Sequence, residues 1–148
     1  MTCQQLAYIA GFFDGEGCIT ALHEKNRRTR ISRIAVAVSN TDFRPIQMLY
    51  EQFGGHYRQT KRENRKEFAT WSMSCKKAAD FLALILPYLI IKKERAVAAI
   101  ELYELNNRRV RGTRRNTLGQ FTKTPPETVA AIDERIGFIK SKNAYGVC

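Results

Sequence analysis

Tyr8-Ile9-Ala10-Gly11-Phe12-Phe13-Asp14-Gly15-Glu16-Gly17 is the stretch from which the fold is read: an apolar segment with small residues at regular places runs straight into an acidic, glycine-rich end. Thr2 with Gln5 three positions on is a capping box that starts a helix, and the apolar run from Leu6 to Phe13 continues it. Ala7 and Gly11 stand four apart, on one helical face, where small side chains let another backbone come close. Such a face calls for a partner helix. Beyond it, Gly15 and Gly17 are expected to take positive φ and so turn Asp14 and Glu16 toward whatever lies at the helix end. Oxygen donors in that position suit Mg²⁺, which is commonly held by one or two carboxylates together with phosphate oxygens and waters.

The rest of the chain tells what such a turn serves. The 148 residues fit one domain with a sizeable core, and 44% hydrophobic content agrees with globular folding. Lys and Arg number 25 against 14 acidic residues, a formal net charge of +11, which points to a polyanionic partner. The positive charge is clustered at Lys25, Arg27, Arg28, Arg30 and Arg33, at Arg58, Lys61, Arg62, Arg65 and Lys66, and again from Arg108 to Arg115. The four cysteines, Cys3, Cys18, Cys75 and Cys148, have no metal-ligand spacing and read as thiols of a reducing compartment. The N-terminal apolar run is too short to span a membrane and follows no basic leader, and the apolar stretch 81–91 is broken by Pro87, so a soluble intracellular protein is expected.

Along the chain, alternation over Ile19 to Glu24 predicts a strand, and a clearer one follows with Ile34, Val36 and Val38 on one face and Arg33, Ala35 and Ala37 on the other. The basic segment Lys25 to Arg30 makes the tip of this hairpin. Ile46, Leu49, Tyr50 and Phe53 then carry helical spacing, capped by Thr41 or Asp42, with Pro45 in the first turn and Gly54-Gly55 as the stop. A second hairpin, His56–Arg62 with Glu67–Ser74, turns at Glu63 to Lys66, and helices follow over Lys76–Leu86, ended by Pro87, and over Lys93–Leu105. Trp71 and Tyr57 read as core residues in preference to nucleic-acid contacts. The stretch 106–123 is basic, without an acidic residue or a period, and is expected to be a loop. Thr124-Pro125-Pro126-Glu127 starts a last helix to about residue 142, carried by Val129, Ile132, Ile136 and Ile139.

The segment Ala10 to Gly17 resembles the signature of the LAGLIDADG homing endonucleases, in the common form Ala-Gly-Phe-x-Asp-Gly-Glu-Gly. The order of elements from 2 to 105 agrees with that family. The resemblance implies an α/β (α+β) fold of helix, hairpin, helix, hairpin, helix, with a four-stranded antiparallel DNA-binding saddle and C-terminal helices, as a single domain over 1–148. It further implies a site-specific double-strand DNA endonuclease with Mg²⁺ as cofactor and without a small-molecule substrate. Since this chain carries one motif, a homodimer is implied, with Ala7, Ala10, Gly11 and Asp14 at the interface. The target is then pseudo-palindromic, roughly two helical turns or about 20 base pairs long. By the same resemblance Glu16 binds metal beside the Gly15 carbonyl, Asp14 is structural, and Asn40, Arg44 and Lys92 complete the catalytic set. Asn40 also reads as a helix cap and Arg44 as a first-turn surface residue. For DNA contacts the charged side of the hairpins is favoured: Thr20 and Leu22 on the first strand, Arg28 and Arg30 at the tip, then Arg33, Arg58, Thr60 and Arg62. The competing reading is a regulator or RNA maturase that keeps the scaffold and does not cut DNA.

Overall fold

The computed structural model describes residues 1–23, 32–61, 63, 66–112 and 126–143. Helix α1 (Cys3–Glu16) opens with the expected box: the Gln5 amide donates to the Thr2 hydroxyl and the Thr2 amide to the Gln5 side chain. The helix does not stop at the glycines. Gly15 is helical, Gly17 has φ −78°, and among the described residues positive φ belongs only to Gly54, Gly55 and Cys75. Gly17 is needed for a different reason. A Cβ there would overlap the Phe13 ring and carbonyl, so only glycine lets β1 leave α1 against Phe13.

Strands β1 (Gly17–His23), β2 (Ser32–Asn40), β3 (His56–Thr60) and β4 (Phe68–Ser74) form one antiparallel sheet in the order β1-β2-β4-β3. Its inner face carries the predicted alternation: Ile19, Ala21, Ile34, Val36, Val38, Ala69, Trp71 and Met73 are all buried. Phe81 of α3 (Cys75–Ile85) stands at the centre of an aromatic cluster, with ring centroids 5.0 Å from Phe53, 5.0 Å from Trp71 and 5.4 Å from Phe13. Burial of each such ring or aliphatic side chain is worth about 1.5–3 kcal/mol. Trp71 is wholly buried, as read, and its indole N–H finds the Gly54 carbonyl at 2.7 Å.

Helix α2 (Phe43–Phe53) is capped by Asp42 and closed by Gly54 at φ 67°. After α3, a single 3₁₀ turn over Leu86–Tyr88 holds Pro87 and leads into α4 (Lys93–Gly112). Here the expectation of a loop beginning at residue 106 fails, because α4 runs on to Gly112. The reason is a tertiary anchor: buried Asn106 donates from Nδ2 both to the Ser32 carbonyl at 2.7 Å and to the Leu102 carbonyl at 2.9 Å, tying this turn to β2. Helix α5 (Pro126–Asn143) packs on α4 through Ile132, Ile136 and Ile139, with Arg135 bridging to Glu101 at 2.6 Å. Cys3 and Cys75 are free, whereas Cys18 is disulfide-bonded, against the reading of idle thiols. No described helix is long and apolar enough to cross a membrane.

Candidate active site and nucleic-acid interface

The end of α1 is built around a buried carboxylate. Asp14, 8% exposed, accepts the backbone N–H of Ile90 at 2.7 Å and of Ile91 at 3.1 Å on one oxygen, and that of Lys92 at 2.9 Å on the other. These amides precede α4, so the carboxylate faces the positive end of that helix dipole. Lys92 then turns its ammonium back onto the Asp14 carbonyl and is itself buried. Burial pushes the Lys92 ammonium below the ordinary lysine range; Asp14 and Glu16 oppose the shift, while Arg95 adds to it. Asp14, Glu16 and Lys92 are therefore brought together, with Glu16 exposed two residues beyond the buried carboxylate.

Glu16 ends α1 beside the Gly15 carbonyl, where the last carbonyls of a helix present partial negative charge. Exposed carboxylate plus helix-end carbonyl is a donor set that fits a hard divalent cation retaining waters or phosphate oxygens. Among the described residues no three of His, Cys, Asp and Glu gather to cage a metal.

Asn40 and Arg44 stand at the same end of the sheet. Val38 pairs with Gly17, and Asn40 lies two residues further along β2, past the junction of α1 and β1. The Asn40 side-chain oxygen accepts the Asp42 N–H at 2.8 Å, so Asn40 makes the turn before α2 while Asp42, not Asn40, is the cap. Arg44 is exposed and lies across Asp42: Nε is 3.0 and 3.2 Å from the two carboxylate oxygens and Nη2 is 2.5 Å from Oδ2. That guanidinium holds the Asp42 carboxyl down at about 2, and the carboxylate in turn raises the Arg44 value.

The interface expected on α1 divides in two. Ala7 and Gly11 are exposed, and a Cβ at Gly11 or Gly15 would meet nothing among the described residues within 4 Å. Ala10 and Asp14 differ from these: Ala10 is wholly buried in the chain's own core and the Asp14 carboxylate accepts the residue 90–92 amides, so neither side chain lies on the open face. At about 100° per residue, 7, 10, 11 and 14 fall on one broad stripe of α1, and Ala10 and Asp14 lie on the side of it that turns toward the chain's own core.

The outer face of the sheet reads in rows. Cys18, Ala37, Ser72 and His56 pair in register across all four strands; Ser39, Thr70 and Arg58 form a second row; Phe68 and Thr60 a third. Thr20 faces out opposite Ala35, and its hydroxyl donates to the Ala35 carbonyl at 3.4 Å. Leu22 pairs in register with exposed Arg33. His56, Arg58, Thr60, Phe68, Thr70 and Ser72 line a shallow concavity of about 420 Å³. His56, Thr70 and Ser72 were not singled out from the sequence; the period-2 positions beside Arg58 and Thr60 were the available signal. Arg28, Arg30 and Arg62 lie outside the described residues.

The sequence profile described as LAGLIDADG endonuclease matches residues 9–96. No curated protein matches by sequence. Among solved structures, the homing endonuclease I-CvuI in complex with its target in the presence of Ca is 20% identical, with a TM-score of 0.65 over 92% of this chain and 82% of that one. The archaeal intron-encoded homing endonuclease I-Vdi141I complexed with DNA is 13% identical, with a TM-score of 0.66 over 94% of this chain and 84% of that one. The LAGLIDADG homing endonuclease I-GzeII in complex with a DNA target is 15% identical, with a TM-score of 0.63; the match covers 91% of this chain and 43% of that one.

Proposed function

From the premise that the chain belongs to the LAGLIDADG endonuclease family, whose members cleave DNA, we propose that it cuts both strands of a long pseudo-palindromic duplex as a Mg²⁺-dependent homodimer. The observation that carries this reading is the exposed Glu16 carboxylate beside a lysine held in place by buried Asp14. A fold that only bound DNA has no use for an acid there, because it repels phosphate.

In this reading Glu16 and the Gly15 carbonyl hold the cation. When bound, Mg²⁺ supplies charge neutralisation at the scissile phosphate and a more acidic attacking water. Lys92 holds a partly desolvated ammonium on the Asp14 carbonyl, within the electrostatic reach of Glu16, where it would stabilise negative charge that develops at phosphorus or on the leaving oxygen. Asn40 and Arg44 orient water and phosphate from the end of β2. The sheet's outer rows follow the major groove, whose base edges a two-stranded ribbon can read. Arg33, Arg58 and Thr60 make contacts there, and Arg28, Arg30 and Arg62 are further candidates from the sequence.

The dimer rests on α1. A helical glycine costs about 1 kcal/mol relative to alanine, and no contact among the described residues requires it at residues 11 and 15. A second α1 packed across a two-fold axis does. The near-complete overlap with two shorter structures, against 43% of I-GzeII, supports a chain that supplies half of a double site.

The test is digestion of a randomised duplex library by the wild-type chain with Mg²⁺ and then with chelator, followed by sequencing of the cut ends. Selected ends that vanish with chelator support the proposal; binding without any cut ends would establish the non-cleaving regulator instead.

A further inference from the structure

Between the two polar residues at the end of β2 stands a third that the site assignment passes over. Asn40, Asp42 and Arg44 form one chain of hydrogen bonds: the Asn40 oxygen fixes the Asp42 amide at 2.8 Å, and the Asp42 carboxylate takes the Arg44 amide at 3.1 Å and its guanidinium in a fork at 2.5–3.2 Å. We propose that Asp42 is the positioning residue of the reaction, which holds the Arg44 guanidinium in working orientation at the mouth of the site. The inference rests on the reading of Arg44 as a catalytic residue.

Three features of the chain carry it. Arg44 is the second residue of α2, where the helix field disfavours a cation, and its hydrogen bonds to Asp42 are what orient a long side chain that otherwise lies in solvent. A planar carboxylate that meets Nε and Nη2 together fixes both the place and the plane of the guanidinium, which a single contact cannot do. The pair is also open to water, with side chains 89% and 44% exposed, and pairs of that kind add little to stability. Its effect is geometric. Asp42 stays ionised throughout the working range, so the hold is not lost by titration near neutrality.

Asp42→Asn separates the two duties of the residue. Asparagine caps a helix about as well as aspartate, so α2 is kept while the charged fork is lost. On the duplex recovered from the library, Asp42→Asn is expected to slow single-turnover cleavage on the order of tenfold and to leave the dissociation constant within about threefold, well under a kcal/mol. Asp42→Glu, which restores the charge, is expected to recover part of the rate. In an Arg44→Gln background Asp42→Asn is expected to add nothing, since both changes remove one unit. Rates that multiply in the double variant, or wild-type cleavage by Asp42→Asn while Arg44→Gln is slow, would overturn the positioning role alone. Wild-type cleavage by Arg44→Gln would remove Arg44 from the site, and Asp42 with it.

Discussion

Glu16 sits where a helix least favours an acid. The C-terminal end of α1 already carries partial negative charge, and a carboxylate added there costs about 0.3–1 kcal/mol. Glu16→Gln is therefore expected to hold or slightly raise the melting temperature, by up to about 2–4 °C, while cleavage disappears and DNA binding stays. Loss of stability together with activity would make Glu16 a structural residue. Asp14 has the opposite profile. Asp14→Ala leaves three amides without their acceptor and takes a compensating charge from buried Lys92, whose ammonium keeps the residue-14 carbonyl, so a loss of about 3–5 kcal/mol is expected in denaturant titrations. The Asp42 carboxyl has its folded value depressed from 3.8 to about 2, so its contribution is present above 3.8 and is lost as the pH falls through about 2. For so exposed a pair the stability difference between wild type and Asp42→Asn should be slight near pH 7 and vanish in that acidic window; a difference that survives below it would contradict the pairing. At this scale the sequence shows residue types but not orientation. Glu16 and Lys92 could be named, yet the inward turn of Ala10 and Asp14 depends on which face of α1 the sheet covers.

At the scale of elements, α1 presents two unlike sides. One carries Ile9, Ala10 and Phe13 into the core, and the other leaves Ala7, Gly11 and Gly15 in the open. Gly11→Leu meets no obstacle at its Cβ among the described residues and gains helix propensity, so the subunit should fold at least as well as the wild type. Sedimentation of that variant is expected to give monomers without double-strand cleavage. A Gly11→Leu dimer that still cuts would place the two-fold axis elsewhere. Elements marked by strong local grammar were legible: the Thr2 box, the alternation of β2, and the Gly54-Gly55 stop with its positive φ. The glycines at 15 and 17 mislead, because glycine marks close approach as readily as a turn, and here Phe13 decides between them. The last turns of α4 were hidden for another reason. Their support is Asn106 reaching to β2, a contact distant in sequence that leaves no apolar period.

Taken whole, the molecule sets a sheet with one buried and one open face under a charge of +11. The inner face carries large apolar and aromatic side chains, while Ala37 and Ser72, paired across the two central strands, are small on the outer face. Affinity for duplex should fall linearly on a logarithmic salt scale, with a loss of about 10³–10⁵ between roughly 50 and 200 mM if six to ten phosphates are met. Anisotropy titrations at several salt concentrations measure this slope, and binding indifferent to salt would exclude a phosphate-tracking saddle. The architecture was readable because it repeats one unit, hairpin then helix. What the repeat cannot announce is how its ends meet.

That meeting has a consequence for the order in which the protein comes into being. The Asp14 carboxylate is synthesised 76 residues before the first amide it binds, and Lys92 follows later still. A chain emerging from the ribosome thus exposes its acidic helix end long before the lysine that completes the pocket has been made. A product that ends before residue 90 therefore lacks the amides that hold Asp14, and its helix end is left without that support.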